Sequence, residues 1–231
     1  MNAISTIDAQ LEADDLVLRI DGTKPLSADV IAAVTAVCDR AEDGAGRSRV
    51  IVQVSGAPAA PWTEDLTTSL VSKWERALRR LERLPVATLA VAEGDCGGLA
   101  LDALLATDYR IATGTLRLTL PVTDGTQWPG MALYRLANHA ASTAIRRAVL
   151  FGLPIEAAEA RDLQLIDEVS DDVAGSLAQI TERTAALSGS DLAIRRQLMF
   201  DAATTTFEEA LGTHLAACDL TLRRAAAEAA A

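Results

Sequence analysis

The residues best placed to do chemistry are a glycine cluster in "PVATLAVAEGDCGGLALDALLATDYRIAT", where Gly94, Gly97 and Gly98 stand between two apolar runs. Glycines at such a junction let the backbone approach a ligand closely, and the first N–H groups of the helix that follows have no partner within it. Those groups can face an anion or a polarised carbonyl oxygen, so the turn is a candidate oxyanion hole. It serves equally as a tight turn for helix–sheet packing. The spacing Gly94-x-x-Gly97-Gly98 is neither GxGxxG nor GxxxxGK[ST] and no Lys follows it, which speaks against dinucleotide or nucleotide binding.

A second candidate is basic. In "LTTSLVSKWERALRRLERLP", Lys73, Arg76, Arg80 and Arg83 fall on one helical face and Leu70, Trp74, Ala77, Leu78 and Leu81 on another. The basic face is either solvated, with Glu75 and Glu82 balancing some of its charge, or a phosphate-binding surface. His139 and His214 lie in helical segments and read as surface or core-edge residues. Cys38, Cys96 and Cys218 are an odd number without CxxC spacing, which argues against a disulfide framework or a zinc site.

The elements that position these residues alternate. Residues 16–20 and 49–56 read as strands and 28–42 as a helix capped by Ser27, with Asp29 in its first turn. The prolines of "APAAPW" make 56–62 a loop, and 66–84 is helical. The unalternating run 86–92 suits a strand buried on both faces and ending at Glu93-Gly94. A helix from Gly97 and a strand over 108–112 follow. This is an α/β layout whose parallel strands carry ligands at their C-terminal ends. After a loop-rich stretch from 115 to 130, residues 131–151, 156–165, 171–187, 191–200 and 207–227 read as helices, with a short apolar segment at 165–169.

The chain has 231 residues, half of them apolar, which is enough to bury a substantial core. With a net charge of −11 and only three Trp, two Tyr and three Phe, it offers nucleic acid little to bind. No apolar run reaches transmembrane length and no signal-peptide pattern opens the chain, so no membrane partner and a cytoplasmic location are expected.

The glycine stretch resembles the signature of the crotonase (enoyl-CoA hydratase/isomerase) superfamily, typically P-V-I-A-A-V-N-G-x-A-L-G-G-G-x-E-L-A-L-A-C-D-x-R-I-A. Anchored on Gly94, it aligns without a gap through Ala112. "VIVQVSG" stands at the strand before the family's first oxyanion loop, and "WPGMALYRLANHAASTAIRRAVLFGLPIEAAEARDLQLIDEV" is similar to its I-P-G-x-G-x-x-x-R-L and later motifs. The resemblance spans about 16–200 and implies a ββα spiral core over 1–130 with a helical region over 131–231 that assembles trimers or hexamers. "LTTSLVSKWERALRRLERL", "GDCGGLALD" and "WPGMALYRLA" are also similar to the DpgB-type proteins of 3,5-dihydroxyphenylglycine biosynthesis. In that antibiotic-producing route a type III polyketide synthase makes a polyketide-CoA, whose dehydration and aromatisation such a protein assists.

The resemblance implies that two backbone N–H groups stabilise the enolate of a coenzyme A thioester. One N–H is that of Leu99, standing where the family has a glycine, with Gly98 beside it. The other comes from the loop 59–63, in which Pro61 has no N–H and Trp62 is assigned the role. Gly97, Ala60 and Arg80 are assigned to substrate binding. Asp102 falls on the family's first catalytic glutamate, whereas the second falls on Val122, with Asp124 as its replacement. Asp95 is expected to stabilise the turn. The family's A-G-A-D motif is absent, and the segment between Trp62 and Pro85 is shorter than usual. No cofactor is expected beyond the coenzyme A that carries the substrate, and no metal.

Overall fold

Three mainly apolar runs form the centre of the molecule. In the computed structural model, β1 (Leu16–Asp21), β2 (Val50–Gly56) and β3 (Thr88–Gly97) lie side by side and parallel, followed by β4 (Tyr109–Ala112) and β9 (Glu168–Val169). The structure describes residue 11 and residues 15–44, 49–59, 62–123, 125–139, 143–185 and 189–229. β1 alternates buried and more exposed positions as an edge strand does, whereas the first five residues of β2 and of β3 are buried without alternation. The two faces of the sheet feed different cores. Val50, Val52, Val54, Ala90 and Ala92 join the large core under the helices, and Ile51, Leu89, Val91 and Ile111 pack with Val173 and Leu177 on the opposite side.

Capping sets the helix starts. α1 (Ala28–Asp43) begins where the Ser27 side chain accepts from the Val30 N–H, with Asp29 in the first turn, and α2 (Thr68–Leu81) where Thr67 accepts from the Leu70 N–H at 3.1 Å. The α2 stripe of Trp74, Ala77, Leu78 and Leu81 is buried, as its periodicity requires.

One strand is longer than expected. Gly94 takes a φ of +62°, so β3 bends there instead of ending, and the bent portion pairs Cys96 with Gly56 and Asp95–Gly97 with β5 (Arg117–Thr119). β6 (Val122–Thr123) and β7 (Thr126–Gln127) form a small hairpin.

α3 (Leu99–Leu105) follows β3. Its last carbonyls are satisfied by buried Arg110: Nε donates to Leu104 O at 3.0 Å, Nη2 to Leu105 O at 3.3 Å and Thr107 O at 2.8 Å, and Nη1 to Leu165 O at 3.3 Å. One side chain thus caps the helix and ties it to the C-terminal region.

The region after 131 is mostly helical: α4 (Met131–His139), α5 (Thr143–Phe151), α6 (Ala157–Asp162), α7 (Val173–Thr184), α8 (Ser190–Ala202) and α9 (Phe207–Ala229). It also returns two strands to the main sheet, β8 (Ile155–Glu156) against β5 and β9 against β4, so the halves on either side of residue 130 share one sheet. No described helix is long and apolar enough to cross a membrane.

Candidate active site

A mainly apolar cavity opens where the C-terminal ends of the parallel strands meet the start of α3. Its walls are Gly22, Lys24, Pro25 and Leu26 after β1, Pro58 and Trp62 after β2, Leu66 before α2, Val71, Trp74 and Glu75 of α2, and Gly98, Leu99 and Asp102 at the start of α3, with Pro121 and Trp128 opposite. All three tryptophans of the chain line it. Trp62 and Trp128 pack edge to face with centroids 5.3 Å apart, and the Trp62 indole donates to Val122 O at 3.0 Å.

Close backbone approach makes this corner. A Cβ on Gly22 would stand 2.8 Å from Gly97 O, and one on Gly97 would stand 2.6 Å from Thr119 Oγ1. Gly98 takes a φ of +53° as the N-cap of α3, and the first backbone bond of that helix runs from Asp102 N to Gly98 O at 2.9 Å. Leu99 is the first helical residue, so its N–H has no partner within α3, and its side chain is 8 % exposed and belongs to the core. The glycine turn therefore brings a backbone donor and Asp102 to one cavity.

Asp102 is the chemically distinctive group. Its side chain is 15 % exposed, and it accepts from Trp74 Nε1 at 3.2 Å and from the Ala132 N–H, with Arg135 Nη1 4.0 Å away. Burial and the neighbouring charge of Glu75 push its pKa up to about 7, against the pull of Arg135, Trp74 and Ala132. A carboxyl group at that pKa can donate or accept a proton near neutrality. Burial also raises the pKa of Glu75, and Arg135 opposes the rise.

The expected site residues separate. Asp102, Leu99, Gly98 and Trp62 meet at the cavity. Gly97 supports it from behind, closing β3 against Thr119. Arg80 is elsewhere: it is held by Asp39 at 2.7 Å and by Glu42, so it ties α2 to α1 and its charge is already compensated. The substrate-binding role assigned to it does not match that position. Ala60 and Asp124 lie outside the described residues. Val122, which the resemblance sets at the family's second glutamate, is 43 % exposed and brings no carboxylate. Asp95 pairs with Arg117 at 3.1 Å. His139 sits near Arg110 and Leu105 O, behind α3, and His214 is exposed on α9.

Glu75, Arg135, Trp74 and Trp128 carry no site role in the sequence reading. Glu75 reads there as part of a solvated face, yet Val71 and Leu78 lie four residues before it and three after it, which places it on the edge of the apolar stripe. That spacing was the available signal.

No protein-family model matches the chain. Among curated proteins it is similar to an enoyl-CoA-hydratase from Amycolatopsis orientalis, at 55 % identity over 212 residues that cover 92 % of this chain and 98 % of the relative. Among solved structures it is similar to an enoyl-CoA hydratase/isomerase from Marinobacter aquaeolei, with a TM-score of 0.79, 17 % identity and coverage of 92 % of this chain and 89 % of the other. An enoyl-CoA hydratase from Bacillus anthracis gives a TM-score of 0.75 at 19 % identity, covering 90 % and 88 % of the two chains. The solved structures share the fold, and the curated relative shares more than half of its residues along nearly its whole length: the chain belongs to the crotonase, or enoyl-CoA hydratase, family.

Proposed function

We propose that the protein binds a cyclised polyketide-CoA and promotes its enolisation and loss of water, yielding an aromatic thioester of the 3,5-dihydroxyphenylacetyl type in concert with a type III polyketide synthase. The observation that carries this reading is the meeting, in one cavity, of the first turn of α3, a carboxyl group with a pKa of about 7 and all three tryptophans. The Leu99 N–H polarises the thioester carbonyl as negative charge develops on its oxygen. Asp102 carries the proton. Tryptophan rings prefer to pack against flat, polarisable groups, which suits a six-membered ring becoming aromatic. Aromatisation supplies driving force that hydration of an isolated alkene lacks, so the missing carboxylate at Val122 is compatible with this chemistry.

The family's trimer belongs to the same reading. It is supported by Phe207, Leu211, Leu215 and Leu222, exposed on α9 at a spacing that makes an apolar stripe. A cytoplasmic setting is supported by Cys38, Cys96 and Cys218, which are free thiols.

A generic enoyl-CoA hydratase is the second reading, favoured by the relative of that name. The test incubates the purified protein with a type III synthase and malonyl-CoA and compares wild type with Asp102→Asn by product mass. Aromatic product that disappears with Asp102→Asn supports the proposal. Undiminished product leaves a non-catalytic partner of the synthase or a different catalytic residue, and turnover of crotonyl-CoA without any effect on the synthase supports the generic hydratase.

A further inference from the structure

Three carboxylates converge on one buried guanidinium. Arg135 of α4 places Nη2 2.9 Å from Glu75 Oε2, Nε 2.7 Å from Glu82 Oε1 and Nη1 4.0 Å from Asp102 Oδ1. Arg79 takes the other Glu82 oxygen at 2.8 Å. Two cations therefore face three acidic side chains, and a single proton makes the cluster neutral. Lys24 lines the same cavity, and the buried Cys96 thiol on β3 feels the Asp102 charge. Burial disfavours negative charge here and raises the pKa of both Asp102 and Glu75.

Of the three acids only Glu75 and Asp102 line the cavity, and they reach it from different helices, α2 and α3. Arg135 Nη2 meets Glu75 at Oε2, and the other oxygen of the carboxylate that borders the cavity has no partner among the described residues. Glu82 has no such freedom, since Arg79 and Arg135 each hold one of its oxygens.

We infer that Glu75 and Asp102 are the two proton-transfer groups of the dehydration, with Glu75 the base and Asp102 the acid. This rests on the reading of the cavity as an acyl-CoA dehydration site. The Glu75 carboxylate takes the proton from the α-carbon, and the C–H electron pair moves toward the thioester oxygen to form an enolate. The enolate collapses to a Cα=Cβ bond, and the β-hydroxyl leaves with the Asp102 proton as water. The enzyme is left with Glu75 protonated and Asp102 ionised, and transfer of that proton to Asp102 restores the starting state. The second acid/base group thus comes from α2 instead of the Val122 position.

The test follows exchange of the α-hydrogens of phenylacetyl-CoA in D2O by mass, with binding monitored through tryptophan fluorescence. Exchange needs the base, so wild type exchanges, while Glu75→Gln loses at least about 100-fold in exchange rate and still binds. Glu75→Asp recovers part of the rate. Glu75→Gln exchanging as fast as wild type overturns the inference and leaves the proposed function standing. Binding by wild type without exchange also overturns it. Wild type that neither binds nor exchanges removes the functional reading and this inference with it. If Glu75→Gln does not fold, Glu75→Asp decides: slowed exchange supports the role and an unchanged rate overturns it.

Discussion

The indole Nε1 of Trp74 lies 3.2 Å from Oδ2 of Asp102, so one residue both packs the wall of the cavity and donates a hydrogen bond to its carboxyl group. The bond favours the ionised form and partly offsets the burial that pushes the Asp102 pKa up to about 7. Trp74→Phe keeps most of the apolar ring and removes the donor. A hydrogen bond to a charged group is worth about 1.5–3 kcal/mol, so the Asp102 pKa should rise further, by roughly one to two units. An NMR titration of the aspartate side-chain carbons checks this; an unmoved pKa would show that the indole does not control the group.

Asp102 also links stability to pH. Its folded pKa lies above the ordinary carboxylate value, so its stabilising contribution is fully present below that value and is lost as pH rises through about 7. Between the two pKa values the loss accumulates at up to about 1.4 kcal/mol per pH unit. Asp102→Asn removes the titration, so the variant should gain on wild type steadily from pH 4 to pH 7. Urea unfolding across that range measures the divergence, and parallel curves would contradict it.

Arg110 closes the end of α3 with four carbonyl contacts from one buried guanidinium. A lysine ammonium has three donors on a single nitrogen and cannot span Leu104, Thr107 and Leu165 together. Arg110→Lys should cost about 2–4 kcal/mol through carbonyls left unsatisfied, and it should loosen α3, which carries Leu99 and Asp102. Chemical denaturation gives the first effect, and amide hydrogen exchange along 99–105 the second.

The apolar stripe on α9 bears on assembly. Leu211 and Leu215 are 42 % and 58 % exposed and lie one turn apart. Charges placed at both positions are incompatible with a buried subunit contact, so Leu211→Glu with Leu215→Glu should convert the proposed trimer to monomer without altering the fold. Sedimentation velocity, paired with far-UV circular dichroism, checks both halves of that statement.

Much of the scaffold was legible because its signals are local. Ser27 caps its helix through a contact three residues away, and the unalternating run before Glu93 announced a strand covered on both faces. The expected end of that strand at Gly94 did not hold. A left-handed glycine can turn a chain or merely bend it, and the pairing of Asp95–Gly97 with β5, more than twenty residues later, selects the bend.

The sequence by itself determined the family, through motifs spread along the chain, and the glycine turn and the closeness of Leu99 and Asp102, because these last two depend on residues within one or two helical turns of one another. Only the tertiary structure decided which charged residues face the cavity. Arg80 and Glu75 sit five residues apart on the same helix. Helical geometry points them to different sides of α2, where Arg80 meets the acids of α1 and Glu75 meets Arg135 and the cavity. Periodicity fixes the angle between two side chains on a helix, but the packing partner on each side decides whether a charge is solvated, paired or buried beside a substrate. The pKa of Asp102 is set in the same way, by burial and by Glu75, Arg135 and Trp74, which reach it from two other helices.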